Sequence, residues 1–396
     1  MDLRDLLQDS DGKIVLVVAD GLGGFADAEH GSELEEASTP NLDALAAEGA
    51  TGLVVPVRPG ITPGSGPGHL ALFGYDPEEH ELGRGVLSAA GLEFDLQPGD
   101  VAARGNFATL DDRGVVVDRR AGRIPDAEAA PLVERLNTEV SVDGVEVFFR
   151  SEAAHRVLVV LRGEGLDPRV TDTDPGHEGA PPKPCEARDP AAKRTADLVN
   201  QVDAEIRRVL AGERAHVVLL RGFDTHQELP GFADRYGLRA ATVAIYPMYR
   251  GVAKLCGMDT LPKPDGLEGQ VAAMREHWDD YDYFFLHHKK TDECGHDGDR
   301  PGKIAAIEAL DAVIPAIRDL GPAVLVVTGD HSSPTQLHGH SWHPVPTVMW
   351  GPAVGRDDVD RFGERACSRG ILGQRPTKEL MPIMLAAAGR LAKYGA

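Results

Sequence analysis

The sequence predicts an α/β protein: a mostly parallel sheet with helices on both faces, plus a smaller inserted α/β domain. Three observations predict it. Apolar, β-branched runs within 13–20, 281–292 and 323–333 are short enough for buried strands, and each ends in polar residues. Segments with apolar residues at helical spacing alternate with them, which favours a parallel sheet covered by helices. From about residue 100 to 225 the pattern changes to short apolar runs broken by Gly, Pro and charged turns.

In chain order, "KIVLVVAD" (13–20) reads as a buried strand ending on Asp20, followed by "GLGG". "STPNLDALAAEG" (38–49) starts a helix, with Thr39 as cap, Pro40 at the first helical position and Gly49 as terminator. "ITPGSGPGHLALFG" (61–74) makes a tight Gly/Pro turn at Ser65 and continues as a helix. "VEVFFR", "HRVLVVLRG" and "AHVVLLRG" read as short strands of the middle region, and 172–193 as a long loop rich in Pro, Gly and charge. "YDYFFLHHKKTD" (281–292) is a buried strand ending in polar residues. "KIAAIEALDAVIPAIRDLG" (303–321) is a helix in which Pro315 introduces a kink. "AVLVVTGDHSS" (323–333) is a strand ending in Asp330 and His331, and 381–395 closes the chain as a helix. The expected division is a discontinuous catalytic domain, 1–95 and 230–396, with an insert at 96–229. In open α/β sheets, sites lie beyond the carboxyl ends of the strands, where Asp20, Asp292 and Asp330 all fall.

The bulk composition narrows the function. The chain has 396 residues, 42% hydrophobic and 26% charged, the mix of a soluble globular protein. No apolar run approaches the roughly 18 residues of a membrane span. "MDLRDLLQDSDGK" has no basic start followed by an apolar core, so no secretory signal is expected. The four cysteines (Cys185, Cys256, Cys294, Cys367) are scattered, which argues against a disulfide framework and for a reducing cytoplasm. The formal net charge of −22 disfavours nucleic acid and anionic membranes as partners. An anionic small substrate remains compatible, provided that arginines, lysines or metal ions gather around it.

One constellation carries chemistry. Two-metal hydrolytic and phosphoryl-transfer sites use Asp and His ligands on ions about 3.5–4 Å apart. The chain offers Asp20, then Asp292 and His296 four residues apart, then the adjacent pair Asp330–His331, and a histidine-rich tail with His338, His340 and His343. Ser65 is a nucleophile candidate, since a serine at a helix N-terminus sits where backbone N–H groups favour a phosphate.

The order and wording of these segments resemble the cofactor-independent (2,3-bisphosphoglycerate-independent) phosphoglycerate mutases, archaeal-type branch, of the alkaline phosphatase superfamily. The resemblance runs through "ADGLGG", "TPNLDALA", "TPGSGPGHLALFGYDP", "GDVAARGNFAT", "VVVDRRAGRI", "TDTDP", "YPMYRGVAKLCGMD", "FLHHKKTDECGHDGD", "GDHS" and "HPVP", nearly the whole chain. It implies an alkaline-phosphatase-like catalytic sheet and a phosphorylated serine, Ser65. It places Asp20, Ser65, Asp330 and His331 around one ion, and Asp292, His296 and His340 around the other. His340 is preferred to His343 because the family ligand lies four residues before the first proline of "PVP"; His338 is then a loop residue. His287 and Lys289 also match the family, and His288 is expected to be packed. Two departures stand out: "GSGPGH" lacks the acidic residue that many relatives carry after the serine, and "GLGGFAD" differs from the more usual "GLGDRP".

The implied reaction interconverts 3-phosphoglycerate and 2-phosphoglycerate through phosphoserine, with glycerate held and re-oriented between two transfers and no 2,3-bisphosphoglycerate required. Cationic partners for the substrate are expected among Arg119, Arg120, Arg123, Arg194, Arg250, Lys254 and Lys289, since Arg offers bidentate geometry to carboxylate and phosphate. Asp172 or Asp174 is the candidate general acid/base, with Asp118 behind them. Mixed Asp/His ligation points to two Mn²⁺ ions, with Zn²⁺ and Mg²⁺ as alternatives. The same cradle would also serve a metal-dependent phosphohydrolase, or a phosphotransferase of the homoserine kinase kind. The sequence does not fix the oligomeric state.

Overall fold

Six consecutive apolar residues, Ile14–Ala19, are completely buried and form a central strand of an eight-stranded sheet. The computed structural model describes residues 3–80, 82–226 and 228–395. They divide into two units, Met1–Glu81 with Leu229–Ala396, and Leu82–Glu228.

The first unit contains the eight-stranded sheet. Its order is Gly373–Pro376, Ala50–Val55, Val345–Trp350, Val324–Thr328, Ile14–Ala19, Tyr283–His288, Ala240–Thr242, Asp259–Thr260. Among the described residues only Val345–Trp350 runs against its two neighbours; the other pairings are parallel. Burial on both faces is why the central strands read as unbroken apolar runs rather than as alternations. Ile14–Ala19 is flanked by Val324–Thr328 and Tyr283–His288, so three adjacent strands end side by side.

Local chemistry explains the helices around this sheet. Pro40–Glu48 starts with Pro at its first position, as expected, but Thr39 makes no side-chain cap. Asp311 caps it instead, accepting from Leu42 N at 2.7 Å and from Asn41 Nδ2 at 2.8 Å. The helix Arg300–Arg318 runs through Pro315. Pro315 has no N–H to offer the Asp311 carbonyl one turn back, and that carbonyl accepts from Asn41 Nδ2 at 3.2 Å. The last helix is shorter than the sequence suggests, Leu380–Ala387, because Gly389 turns left-handed at φ +70° and Arg390 N closes back on Leu385 O.

The second unit is built on a five-stranded antiparallel sheet. Val101–Leu110 pairs with Val116–Asp118, Arg156–Arg162 and Val217–Thr225, and Glu146–Ala153 pairs with Arg156–Arg162. Asp126–Glu139 and Lys193–Val209 contribute Val133, Leu136, Leu198, Val202 and Ile206 to its apolar core. Residues 172–189 form no helix or strand. Among the described residues no helix is long and apolar enough to cross a membrane.

Candidate metal centre and arginine pocket

The three adjacent strands of the first unit deliver its polar cluster. Asp20 follows Ile14–Ala19, Asp330 and His331 follow Val324–Thr328, and Lys289 follows Tyr283–His288. Lys289 leads into the helix Lys290–Asp297, which carries Asp292 and His296 one turn apart. Ser65 is the first residue of Ser65–Leu72, entered from an extended Gly64. A Cβ on Gly68 would lie 2.3 Å from the Asp330 carbonyl oxygen, so glycine there lets this helix lie against the Asp330 strand end. The Ser65 hydroxyl is thereby held 3.1 Å from His331 Nε2.

Around that point the acids and histidines converge. His331 Nε2 is 3.3 Å from Asp20 Oδ1 and 3.2 Å from Asp330 Oδ2. Asp292 Oδ1 is 3.6 Å from both His296 Nε2 and His340 Nε2. The donors form two overlapping groups, Asp292–His296–His340 and Asp20–Asp292–His331, each with ligand atoms within 4.8 Å of one another. Asp292 thus belongs to both, where the resemblance places it in one.

Proton accounting favours a cation in each group. His340 Nδ1 faces the Pro63 carbonyl at 2.8 Å; a carbonyl can only accept, so Nδ1 carries the hydrogen and Nε2 keeps its lone pair. Asp20 Oδ1 and Asp330 Oδ2 are buried with no hydrogen-bond donor. Buried carboxylate oxygens without donors beside bare imidazole nitrogens fit divalent ions with mixed O/N ligation.

Lys289 organises the acids. Its Nζ donates to Asp20 Oδ2 at 2.9 Å, Asp292 Oδ2 at 2.6 Å and the Tyr249 hydroxyl at 3.0 Å. It therefore occupies the Oδ2 atoms and leaves both Oδ1 atoms on the histidine side. Burial alone would push Lys289 down, but the Asp20 and Asp292 carboxylates outweigh it and raise its pKa. Asp20 is the mirror case: burial would raise it, yet Lys289 and the neighbouring histidines hold it well below the usual carboxylate range. His287 Nε2 lies 3.2 Å from Asp20 Oδ2, and burial pushes its pKa down to about 4, so it stays neutral.

Several participants escaped sequence reasoning. His69 and Tyr249 are fully buried and stacked at 4.4 Å, and His69 Nδ1 meets the Ser65 carbonyl at 2.8 Å and Asp330 Oδ2 at 3.2 Å. Ser333 donates to Asp292 Oδ1 at 2.7 Å. His69 lies in the quoted Ser65 motif and Ser333 directly beyond "GDHS", and no spacing rule singles them out. The other three histidines of the two motifs, His343, His338 and His288, belong to neither ligand group. His343 stacks on Phe25 and on Trp342, His338 takes a left-handed turn at φ +50°, and His288 Nε2 meets the Ala306 carbonyl at 3.1 Å.

The second unit holds the other cluster. A cavity of about 390 Å³ is lined by Arg119, Arg120, Arg123, Arg156, Arg221, His155 and Asn106, with Ala153 and Ala154. The loop carrying the first three arginines is tightly wound: Ala121, Gly122 and Arg123 have φ of +43°, +67° and +52°. Asp118 holds it by accepting from Arg120 N at 2.8 Å and Gly122 N at 2.5 Å. Non-glycine residues in left-handed conformation cost free energy and tend to persist at functional positions. Asp174 accepts from Arg119 at 3.1 and 2.7 Å; burial would raise its pKa, but these bonds lower it. Asp172 accepts from Gly222 N at 2.9 Å. Burial, reinforced by the neighbouring arginines, pushes His155 down to about 4, and burial takes Arg221 down to about 10. Arg156 and Arg221 were visible in "HRVLVVLRG" and "AHVVLLRG", but nothing in those runs turns them towards the other arginines.

Three candidate cations are placed elsewhere. The Arg194 guanidinium bonds the Glu164 and Gly144 carbonyls at 3.1 and 2.9 Å. Arg250 bonds the Ala244 and Leu261 carbonyls at 3.0 and 2.9 Å. Lys254 is exposed near the end of the helix Pro247–Leu255.

Comparison with known proteins adds lineage to this geometry. Residues 46–215 match the family model for 2,3-bisphosphoglycerate-independent phosphoglycerate mutase. A probable 2,3-bisphosphoglycerate-independent phosphoglycerate mutase of Thermus thermophilus is 51% identical over 400 residues, covering 100% of this chain and 98% of its own. A protein of the same description from Deinococcus radiodurans is 46% identical, covering 100% and 98%. A solved structure from Pyrococcus horikoshii superposes with a TM-score of 0.83 at 30% identity, covering 97% of this chain and 99% of its own. The cofactor-independent phosphoglycerate mutase of Thermoplasma acidophilum superposes at 0.70 with 29% identity, covering 96% and 100%.

Proposed function

Because the chain belongs to the family of 2,3-bisphosphoglycerate-independent phosphoglycerate mutases, we propose that it interconverts 3-phosphoglycerate and 2-phosphoglycerate by passing the phosphoryl group through Ser65. The enzyme is an isomerase, and the step is one of glycolysis and gluconeogenesis. Its four cysteines are free and buried, which suits a reducing compartment, and we place the reaction in the cytoplasm. The observation that carries the reading is the Ser65 hydroxyl, 3.1 Å from His331 Nε2 within a ring of acid and imidazole donors.

Asp20, Asp330 and His331 would hold one ion beside Ser65. Asp292, His296 and His340 would hold the other, with Asp292 close enough to serve both. Two divalent ions there, Mn²⁺ in our reading, would lower the pKa of the serine hydroxyl and neutralise the phosphoryl oxygens. Lys289 bonds the Oδ2 atoms of Asp20 and Asp292 and leaves their Oδ1 atoms on the side where the ions would be held. Ser65 Oγ attacks phosphorus as the bond from phosphorus to the substrate oxygen breaks. The serine proton ends on the released glycerate hydroxyl. In the second half, the other glycerate hydroxyl attacks phosphoserine, and its proton returns to Ser65. Water must be kept from the phosphoserine throughout, or hydrolysis replaces transfer.

The glycerate carboxylate and hydroxyls are assigned to the arginine pocket, where planar guanidinium forks suit a small polyanion. Asp174 aligns Arg119, and Asp172 is left as the group that exchanges the glycerate proton. Replacing Arg119 by leucine should raise KM for 3-phosphoglycerate about 10- to 100-fold, the worth of a charge-assisted pair. Arg194→Ala should leave KM alone, because that guanidinium already serves backbone carbonyls. Steady-state kinetics on both variants checks this, and an unchanged KM for Arg119→Leu removes it from the substrate site.

The reaction itself is tested with 3-phosphoglycerate, Mn²⁺ and an enolase-coupled assay. The expected product is 2-phosphoglycerate, formed without added 2,3-bisphosphoglycerate and without free phosphate. Free phosphate with no 2-phosphoglycerate would reassign the protein to metal-dependent phosphohydrolysis.

A further inference from the structure

We infer that Ser333 is a positioning residue that couples the two ion sites, its hydroxyl accepting from His331 and donating to Asp292 while Lys303 fixes its backbone. The inference rests on the reading that Asp292 and His331 hold ions, and it concerns what orients them.

The argument is one of proton accounting. Ser333 Oγ is 2.7 Å from Asp292 Oδ1 and 3.2 Å from His331 Nδ1. An ionised carboxylate only accepts, so the single serine proton points to Asp292. Towards His331 the oxygen can then only accept, which places a hydrogen on Nδ1. A neutral His331 therefore keeps its lone pair on Nε2, the atom that faces Ser65, Asp20 and Asp330. The relay His331 Nδ1–H, Ser333 Oγ–H, Asp292 Oδ1 joins His331, a donor of one group, to Asp292, the donor that the two groups share. An outer partner of this kind sets the tautomer and the orientation of a ligand.

The backbone at Ser333 is locked where the ligand-bearing segments meet. Ser333 N donates to the Gly21 and Gly23 carbonyls at 3.2 and 3.0 Å, tying it to the turn after Asp20. Gly21 has φ +64°, and a Cβ there would lie 2.7 Å from Ser333 Oγ. Lys303 is fully buried, and its Nζ donates to the Ser333 carbonyl at 2.8 Å and the Gly23 carbonyl at 3.2 Å. Glu33, also fully buried, faces that ammonium at 3.7 Å and balances its charge. A buried cation that bonds two backbone carbonyls beside a ligand turn has little to do except hold the turn.

The test is calorimetric titration of Mn²⁺ into metal-free wild type and Ser333→Ala, with metal-free melting and steady-state kinetics on both. Both ion affinities should fall about 10- to 100-fold. kcat should fall with KM for 3-phosphoglycerate unchanged, and the metal-free melting midpoint should move by less than about 2 °C. An unchanged affinity at either site overturns the coupling. So does a loss of affinity accompanied by a large fall in metal-free melting, which would mark general loosening. A wild type that binds fewer than two ions removes the ion reading itself, and the coupling with it.

Discussion

Ser65→Ala is expected to abolish mutase turnover, by a factor on the order of 10⁴–10⁶, while leaving the fold intact. The size follows from the role: without Oγ there is nothing to carry the phosphoryl group between the two glycerate oxygens. The hydroxyl of Ser333 in the same cluster is no substitute, because its one proton is committed to Asp292 Oδ1. The tolerance follows from the surroundings. Ser65 is only partly buried, and the helix Ser65–Leu72 is entered from Gly64, so the Ser65 side chain is not its cap. The helix is held by Gly68 against the Asp330 strand end and by buried Leu70, Ala71 and Leu72. The decisive measurement pairs the enolase-coupled rate with thermal melting, and adds mass spectrometry of the wild type quenched with substrate. An 80 Da adduct on Ser65 is expected, 80 Da being about the mass of a transferred PO₃H group. Undiminished turnover in the alanine variant would remove phosphoserine from the mechanism.

How much of this was legible beforehand depends on whether a role is local. Asp20, Asp330 and His331 could be read because each lies within three residues of the end of an apolar run, and a parallel sheet presents its strand ends together. Ser65 could be read because a Gly/Pro turn before a helix is a local signature. The roles of Tyr249, His69, Ser333 and Lys303 are made by tertiary proximity: Lys303 acts on Gly23 across 280 residues, and Tyr249 on Lys289 across 40. Arg194 and Arg250 illustrate the same limit from the other side. Their chemistry matches that of Arg119, but the fold gives their guanidiniums backbone carbonyls as partners. The helix 40–48 shows it for secondary structure, since Thr39 has the right side chain and Asp311 makes the cap. Val345–Trp350 carries Pro346, which cannot donate to a ladder; its carbonyl accepts from Thr328 Oγ1 at 3.1 Å.

Removing the divalent ions should cost both activity and stability, and Asp292→Asn should reproduce most of that loss with a single amide. Asp20, Asp292 and Asp330 lie buried within one cluster, and Lys289 bonds only the first two. Each ion saturated at 100 times its dissociation constant would add about 2.7 kcal/mol to the folded state. Two such ions correspond to a midpoint shift of roughly 10 °C for a unit of this size. A chelator should therefore lower melting by that order and stop turnover, and Mn²⁺ should restore both. His296 belongs to one donor group and Asp292 to both. His296→Ala should thus forfeit about half of the ion-dependent shift, whereas Asp292→Asn, with one oxygen exchanged for a donor amide, should forfeit nearly all of it. The comparison of the two variants is the informative part. Equal losses would mean that Asp292 serves a single ion, and a wild-type midpoint indifferent to chelator would mean that the cluster holds none.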